Sequence, residues 1–476
     1  MRKRPKKLDV AYGAEYSEPV SPTGTRYGTK MSKIFGESGY LESLLEVEAA
    51  GSLAISKLYP EKVPREAAAA IKKVANVKDV RPEEVRKIEE KETHHETGAV
   101  IKVLAKKAGK YGRYVHFTMT SADAVETAKA LQIKKGLCIL IESVEAARDA
   151  CLSAALEWKG ISAIARTHGQ HAMPASFGMA FAFFGYCLQI SAERLYADLR
   201  DHLHGKFSGA IGTFDVSADE GMDGEKIQGE MLRSIGIAPA EITMQIPPRE
   251  DIAYVINDIA VLAGRLESIA EYIKTLKRNE ILELQEMPDK GVISSSAMPH
   301  KNLHGNPHIE ERCISISRII RGYAVSEMEA VHSEDFRDLT ASLSDRIAIS
   351  ESFVLADYSA RLIENLMQRV EPVHRNIERN LNLTNGVITS QRIMSRLISK
   401  GMERSEARNI VNRAASKAFA KSIQYSEVLL RDREVRKLLS EKEVKELGDP
   451  KTYIGASERL VERIAKKYMG KRDISL

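Results

Sequence analysis

The chain has 476 residues, of which 43% are apolar and 29% are charged. These proportions are typical of a folded protein of two to four domains, and they argue against a disordered chain. No apolar stretch approaches the roughly 20 residues that span a bilayer, so we expect no membrane segment. With 71 basic and 66 acidic residues, the net charge of +5 favours an anionic small molecule only weakly.

The first seven residues are strongly basic, which is compatible with nucleic-acid binding. No basic stripe with interleaved aromatic residues follows, so we interpret them as a solvated tail and expect no nucleic-acid partner. No apolar core typical of a secretion signal follows either. The four cysteines are scattered without a C-x-x-C pair, which is typical of thiols in a reducing cytoplasm and not of zinc ligands. We therefore expect a cytoplasmic protein.

Helical periodicity dominates the chain from start to end. Residues 1–120 are expected to form an N-terminal helical domain, in which Pro60, Pro64 and Pro82 separate shorter helices. The sequence contains no β-α-β alternation, no G-x-G-x-x-G and no P-loop, which argues against a nucleotide-cofactor fold.

The central part, residues 121–370, is expected to form a bundle of long helices. Two apolar patterns, Ala130 to Trp158 and Ile252 to Leu276, advance by alternating steps of three and four. A period of about 3.5 residues is typical of long helices packed nearly parallel. Three further amphipathic stretches cover residues 177–202, 310–328 and 344–369.

Residues 371–476 are expected to form a small C-terminal helical domain. Compact helices are predicted over residues 382–401 and 404–422, followed by a charged run at 431–446. The predicted fold class is therefore all-α, with three helical domains.

Four polar segments interrupt the helical patterns. The first, Thr93 to Glu96, contains two adjacent histidines, but neighbouring helical residues point about 100° apart and share a metal ion poorly. The segment either has a role in a binding site or is an ordinary polar face of a helix. In the second, Thr120, Ser121 or Asp123 is expected to cap the long helix that follows. A helix N-terminus with hydroxyls also suits a carboxylate or phosphate, and the two readings are compatible.

The third segment, Arg166 to Pro174, contains His168 and His171 near one end of the predicted bundle. A histidine that titrates near neutral pH is a natural proton donor to a leaving nitrogen, although a loop histidine is more often structural. The fourth segment runs from Ser294 to Glu311 and combines hydroxyls, a proline and Lys301. It is typical of an anion-binding loop, and an ordinary serine-rich loop is the alternative.

In their order along the chain, these segments resemble the motifs of the fumarase/aspartase superfamily and, within it, of the adenylosuccinate lyase family. Ser295 to Lys301 is similar to the superfamily loop S-S-x-M-P-x-K. The other similarities are Arg26-Tyr27 (R-Y), Thr93 to Glu96 (T-[RK]-H-D, with Glu96 in place of Asp), residues 115–123 (V-H-x-x-x-T-S-x-D), Arg166 to Gly169 (R-T-H-G), Thr243 to Gln245 (T-x-Q), Arg337 to Arg346 (R-D-x-x-x-S-x-x-x-R), and L-T-x-G and Y-I-G at residues 383–386 and 453–455.

The resemblance implies a β-elimination that releases fumarate from succinyl-AMP, and from the related succinylated imidazole-carboxamide ribotide. It implies no metal and no organic cofactor. Ser295 would be the base, His168 the acid that protonates the leaving nitrogen, and Glu311 the residue that orients His168. Lys301 would neutralise a substrate carboxylate.

The resemblance also implies a set of binding residues for an anionic nucleotide. Arg26, Tyr27, Ser342 and Arg346 would hold the phosphate, with His94, His95 and Glu96 nearby. Thr120, Ser121, Gln245 and Arg337 would hold the carboxylates or the base. The family forms homotetramers whose active sites combine residues of three subunits, and the same assembly is implied here.

Three extra residues separate Lys301 from Asn306-Pro307, compared with the family pattern M-P-x-K-x-N-P. Either Asn302 or Asn306 is then the counterpart of the family asparagine, which a glutamate follows by five positions. Counting from Asn306 reaches Glu311, whereas counting from Asn302 reaches Pro307. We therefore expect Asn306 to be the retained residue.

Two alternatives remain open at this point. One is another enzyme of the superfamily, such as an argininosuccinate lyase or a carboxymuconate cycloisomerase, which shares the serine loop but handles no nucleotide. The other is a noncatalytic helical scaffold.

Overall fold

The structure is a computed structural model that describes residues 21–286, 297–298 and 300–472. Its first part contains α1 (Ser32–Phe35), α2 (Glu37–Leu58), α3 (Arg65–Val74), α4 (Pro82–Ile88) and α5 (Glu96–Ala108). Pro60 and Pro64 lie between α2 and α3, and Pro82 is the first residue of α4. A proline is tolerated there because the first turn of a helix leaves its N–H groups without intrahelical acceptors.

Five long helices follow and confirm the predicted long-helix segments. They are α6 (Ser121–Trp158), α7 (Gly178–Asp201), α10 (Glu250–Leu276), α11 (His308–Glu329) and α12 (Thr340–Met367). Short helices α8 (Asp215–Asp219) and α9 (Gly224–Ile235) lie between α7 and α10. In the described part of the chain, no helix is both long and apolar enough to cross a membrane.

The all-α fold class is confirmed, but the described residues also form three small sheets that the helical patterns did not predict. Strand β1 (Ser162–Thr167) pairs with β2 (Gln170–Ser176), β3 (His204–Gly205) pairs with β4 (Ala238–Pro239), and β5 (Leu284–Glu286) pairs with β6 (Val370–Pro372). The first and third sheets are antiparallel, and the second is parallel.

The C-terminal part contains α13 (His374–Asn382), α14 (Ser390–Ser399), α15 (Arg404–Lys421), α16 (Tyr425–Leu430), α17 (Arg433–Leu438), α18 (Glu441–Leu447) and α19 (Ser457–Tyr468). The helix predicted over residues 382–401 is wrong in its first part. Asn385 and Gly386 have φ angles of 52° and 84°, which a right-handed helix cannot contain, so α14 begins only at Ser390. A buried apolar cluster from Ile393 to Leu447 packs α14 to α18 together.

The chain divides into two compact units. The first comprises residues 1–143, 191–264 and 316–359, and the second comprises residues 144–190, 265–315 and 360–476. The division into three consecutive domains at residues 120 and 370 groups the chain differently and stays a prediction.

Candidate active site

A cavity of about 280 Å³ lies in the first unit. Four residues that the sequence motifs predicted for substrate binding line it, namely Glu96, Arg337, Ser342 and Arg346. They come from two motifs about 240 positions apart in the chain, and the fold brings them to one wall. Ser342 and Arg346 lie four residues apart near the start of α12, which places them on one face of that helix.

Arg346 is held by Glu96, the residue at the N-terminus of α5. Its guanidinium donates to the Glu96 carboxylate at 2.6 Å, and the two side chains are 55% and 29% exposed. The same guanidinium lies 5.8 Å from the ring centre of Tyr40, within range of a cation–π interaction. Burial and the charge of Glu96 raise the pKa of Tyr40, so the phenol remains a neutral hydrogen-bond donor beside the cavity.

Arg337 is oriented by Gln245 of the T-x-Q motif. The Arg337 guanidinium donates to the Gln245 side-chain oxygen at 2.9 Å, and the Gln245 backbone N–H donates to the Phe336 carbonyl at 3.3 Å. Two motifs that are separate in sequence are thereby joined at the cavity. This pairing leaves the remaining donors of the Arg337 fork available for an anion.

A buried charge network extends the cavity wall and was not predicted from the sequence. Asp345 accepts from Lys129 at 2.6 Å and from Arg249 at 2.9 Å. Lys129 also pairs with Glu126 at 2.9 Å, and Arg249 lies 3.5 Å from Glu327. Lys129, Arg249, Asp345 and Glu126 all line the cavity.

Glu327 has the most perturbed carboxyl group of this network. Burial, together with the negative charge of Asp345, raises the pKa of Glu327 to about 8. Burial acts in the same direction on Asp345, but Lys129 and Arg249 outweigh it and hold the pKa of Asp345 below its usual value. The network therefore favours the ionised form of Asp345 and the protonated form of Glu327.

Two members of this network lie beside sequence motifs, but the motifs do not predict their pairing. Arg249 follows Pro247-Pro248 at the start of α10, four residues beyond Gln245, and Asp345 lies between the Ser and Arg of the R-D-x-x-x-S-x-x-x-R motif. The pairing between them links residues 96 positions apart, and helical periodicity contains no information about it.

Thr120 and Ser121 lie at the start of α6, where Asp123 supplies the capping interaction. The Asp123 carboxylate accepts the Thr120 N–H at 2.8 Å. Its other oxygen accepts from Lys206 and from the Ser208 N–H at 3.1 Å, and both Asp123 and Lys206 are fully buried. Ser208 in turn bonds the Thr243 hydroxyl at 2.7 Å. A buried ion pair therefore connects the start of α6 to the T-x-Q motif.

The segment from Thr93 to Glu96 is not a continuous α-helix, contrary to the geometry assumed for its two histidines. A π-helical turn, Glu89–Thr93, ends before His94, whose φ is +48°. His95 is the N-cap of α5, and its Nδ1 accepts the Gly98 N–H at 3.0 Å. Among the residues that the structure describes, no group of three or more His, Cys, Asp or Glu side chains is placed to hold a metal ion.

Arg26 and Tyr27 belong to the first unit but do not line its cavity. The Arg26 side chain is exposed, and its backbone N–H donates to the Pro22 carbonyl at 2.8 Å. The Tyr27 ring lies 5.5 Å from the ring of Tyr358. Their assignment to phosphate binding stays a prediction.

In the second unit, His168 lies at the tip of the β1–β2 hairpin. His168 and Gly169 are the two turn residues, with φ angles of 54° and 73°, and positive φ at both positions is what a type I′ hairpin turn requires. At the base of the turn, Arg166 pairs with Glu283 through two bonds of 2.9 and 2.5 Å, and Glu283 also accepts from Asn380 at 2.8 Å. His168 is therefore exposed on a turn that is fixed from below.

The second histidine of the motif, His171, has a different environment. Its Nδ1 is buried and has no hydrogen-bond partner in the described part of the chain. Burial and the charge of Arg166 lower the pKa of His171, which disfavours its protonated form. The local environment thus favours a neutral His171.

The remaining predicted residues lie in or beside the signature loop. Ser295 lies outside the described residues. Lys301 is exposed, and the Asn306 carbonyl accepts from His308 Nδ1 at 3.1 Å. The Glu311 carboxylate pairs with Lys274 at 3.0 Å in this chain, so its role in orienting His168 stays a prediction.

Known proteins are similar to this chain over nearly its whole length. Residues 25–322 match the family model described as "Lyase", and residues 386–464 match the one described as "Adenylosuccinate lyase C-terminus". The adenylosuccinate lyase of Methanocaldococcus jannaschii is 36% identical over 457 residues, which cover 95% of this chain and 97% of that protein. That of Pyrococcus horikoshii is also 36% identical, over 94% of this chain and 97% of the relative.

Solved structures agree on the fold. A fumarate lyase from Mesorhizobium superposes with a TM-score of 0.83 at 25% identity, over 94% of this chain and 99% of that chain. A 3-carboxy-cis,cis-muconate lactonizing enzyme from Pseudomonas putida gives 0.82 at 23% identity, over 94% and 98%. At that identity the second likeness concerns the fold alone. With curated relatives matched over nearly its whole length, the chain belongs to the adenylosuccinate lyase family of the fumarase/aspartase superfamily.

Proposed function

We propose that this protein is an adenylosuccinate lyase that converts succinyl-AMP to AMP and fumarate. The observation that carries the proposal is the cavity in which Glu96, Arg337, Ser342 and Arg346 meet, in a chain of this family. Two arginines and a hydroxyl around one cavity suit a ligand with separate anionic groups. The related succinylated imidazole-carboxamide ribotide, which has the same phosphate and succinyl groups, is proposed as a second substrate.

The proposed reaction needs one base and one acid. Ser295 removes the proton from Cβ of the succinyl group, and the electron pair left on Cβ forms the Cα–Cβ double bond of fumarate. The Cα–N bond breaks, and His168 gives its proton to the leaving nitrogen of the purine. Lys301 stabilises the negative charge that develops on the adjacent carboxylate.

A metal or an organic cofactor has no part in the proposed chemistry. The role of His168 is supported by its exposed position on a fixed turn, whereas His171 lies half-buried beside Arg166. Glu311, whose carboxylate pairs with Lys274 within the chain, is proposed to orient His168.

In the proposed binding mode, Ser342 and Arg346 hold the phosphate, with Arg26 and Tyr27 joining them and His94, His95 and Glu96 nearby. Thr120, Ser121, Gln245 and Arg337 hold the succinyl carboxylates or the purine base. The bond between Gln245 and Arg337 supports the second group, since both side chains address the same region.

A homotetramer with shared active sites is part of the proposal. Support comes from apolar side chains that are solvent-exposed on three long helices of the single chain. They are Phe183 and Ile190 on α7, Tyr254 and Val261 on α10, and Ile319, Val325 and Met328 on α11. A cytoplasmic location is proposed on the sequence grounds given above.

The test is a steady-state assay of purified protein with three substrates, in which fumarate release is followed for succinyl-AMP and argininosuccinate, and lactone formation is followed for carboxymuconate. We expect turnover of succinyl-AMP alone. Arg346→Ala should then raise KM for succinyl-AMP, because a phosphate contact is lost. Turnover of argininosuccinate or carboxymuconate without turnover of succinyl-AMP would reject the proposal in favour of another superfamily activity.

A further inference from the structure

The three extra residues Leu303, His304 and Gly305 make a defined contact in the second unit. The Glu286 N–H donates to the His304 carbonyl at 3.0 Å, and His304 Nδ1 bonds the Gln285 side-chain oxygen at 3.3 Å. Strand β5, which contains Gln285 and Glu286, also pairs with β6 on its other side. The extra residues therefore dock on a strand that is already fixed.

Gly305 fits this contact because it has no side chain. Its φ is +94°, a conformation that residues with a Cβ rarely adopt. A Cβ at this position would lie 2.6 Å from the Cβ of Glu286 and 2.8 Å from its carbonyl oxygen, and these distances are too short for any other residue.

The docking strand is anchored by a buried charge network. The Glu286 carboxylate pairs with Lys277 at 3.0 Å and with Arg369 at 3.1 Å. Lys277 also pairs with Glu310 at 2.9 Å, and Glu310 is completely buried in the first turn of α11. Breaking such a pair would leave a charge buried without compensation, so disrupting the network is strongly unfavourable. It fixes both β5 and the start of α11, and the segment with Lys301 and Asn306 immediately precedes that helix.

Two hydrogen-bonded turns lie between the docked Gly305 and the segment around Lys301. The Gly305 N–H donates to the Asn302 carbonyl at 3.1 Å, and the Lys301 N–H donates to the Met298 carbonyl at 3.0 Å. Asn306 follows Gly305 directly. The position of Gly305 on Glu286 thus determines the backbone on both sides of it.

We propose that residues 303–305 form a clasp that holds Lys301 and Asn306 in their substrate-binding positions, with Gly305 and Glu286 as positioning residues of the reaction. The proposal rests on the proposed function, which gives Lys301 its contact to substrate, and on the family resemblance, which implies a substrate contact for Asn306. Residues with this role act through geometry, and a displacement of about 1 Å at such a site can reduce the rate by about a hundredfold.

The test compares Gly305→Ala with Gly401→Ala. Gly401 is the matched control, because its φ is +98° and no atom lies within 4 Å of the Cβ that the substitution adds. Both variants introduce the same backbone strain, but only Gly305→Ala collides with Glu286. We expect kcat/KM for succinyl-AMP to decrease at least about tenfold in Gly305→Ala through a higher KM and a lower kcat, and to change less than about twofold in Gly401→Ala.

Urea unfolding of both variants separates a positioning role from a general loss of stability, since kcat/KM is compared only under conditions in which both variants are fully folded. If the wild-type protein is active and the two variants have equal kcat/KM for succinyl-AMP, the clasp proposal is rejected. An inactive wild-type protein would instead overturn the proposed function. Should Gly305→Ala not fold, hydrogen exchange of the wild-type Glu286 amide decides the question. The clasp requires slowed exchange, and exchange at the rate of an unstructured peptide would reject it.

Discussion

Glu96 and Arg346 form an ion pair of 2.6 Å in the wall of the cavity of the first unit, with the ring of Tyr40 beside the guanidinium. The carboxylate fixes the orientation of an arginine that is otherwise more than half exposed. The motif T-[RK]-H-D that this segment resembles has aspartate at this position, and the longer side chain of Glu96 reaches Arg346 here.

We expect Glu96→Ala to raise KM for succinyl-AMP about tenfold while kcat changes little, because a ground-state contact to the phosphate loses its pre-organisation. Steady-state kinetics measure the effect. Glu92→Ala is the control, since Glu92 forms a surface pair with Lys102 outside the cavity. A lower kcat at constant KM would show that Glu96 acts on the reacting part of the substrate.

Ser295→Ala should decrease kcat by several orders of magnitude and leave substrate binding nearly unchanged, because proton abstraction alone is lost. Single-turnover kinetics and equilibrium binding of succinyl-AMP measure the two effects separately. The neighbouring Ser296→Ala is the control. A severe defect in Ser296→Ala with a mild one in Ser295→Ala would reassign the base.

His168→Gln should also decrease kcat drastically, whereas His171→Gln should have a much smaller effect. The reason is that His171 lies half-buried beside Arg166, which disfavours its protonated form, while His168 is exposed at the hairpin tip. The pH dependence of kcat in both variants provides the measurement. Equal losses, or a larger loss for His171→Gln, would identify His171 as the acid.

Mixing the inactive Ser295→Ala and His168→Gln proteins should restore part of the activity after subunit exchange, if each active site combines residues of different subunits. Fumarate release is measured before and after exchange, and mass labels on one variant verify that exchange has occurred. Persistent inactivity despite verified exchange would mean that each chain builds its own site.

Asp198 predicts a pH dependence of stability. It is fully buried on α7, and it faces Asp258 of α10, which Arg194 binds at 2.8 Å. Burial and the charge of Asp258 raise the pKa of Asp198 to about 7. The folded state therefore binds this proton more tightly than the unfolded state, so the free energy of unfolding decreases as pH rises from about 4 to 7.

Asp198→Asn keeps the polar shape of the side chain and removes the charge. We expect it to stabilise the protein at pH 8 by up to about 4 kcal/mol, the value of a shift of about three pKa units, and to have little effect at pH 4. Urea unfolding at both pH values tests this. Asp201→Asn, which changes an exposed carboxylate paired with Arg200, should give no such pH-dependent gain. If Asp198→Asn is less stable than the wild-type protein at pH 8, the buried Asp198 carboxylate is ionised and stabilises the folded state.

The long helices could be predicted because their 3.5-residue pattern repeats over many turns, as it does from Ala130 to Trp158. The cavity residues Glu96, Arg337, Ser342 and Arg346 could be predicted from motifs. The β1–β2 hairpin could not, since Ser162 to Ser176 has no regular alternation and His-Gly is not a common turn pair. Lys129, Arg249 and Asp345 could not be predicted either, because long-range ion pairs leave no periodic signal.

At the hairpin tip, His168 is the proposed acid and also has a left-handed backbone conformation. A left-handed φ of 54° is unfavourable for histidine by about 1–2 kcal/mol, and asparagine or glycine would suit that turn position better. The imidazole therefore lies at a position where the backbone conformation favours another residue. The Arg166–Glu283 pair at the base of the turn stabilises this conformation. Replacing His168 by asparagine should accordingly yield a protein that is inactive but resists heat better than the native one, so selection for thermostability alone would remove the acid from this site.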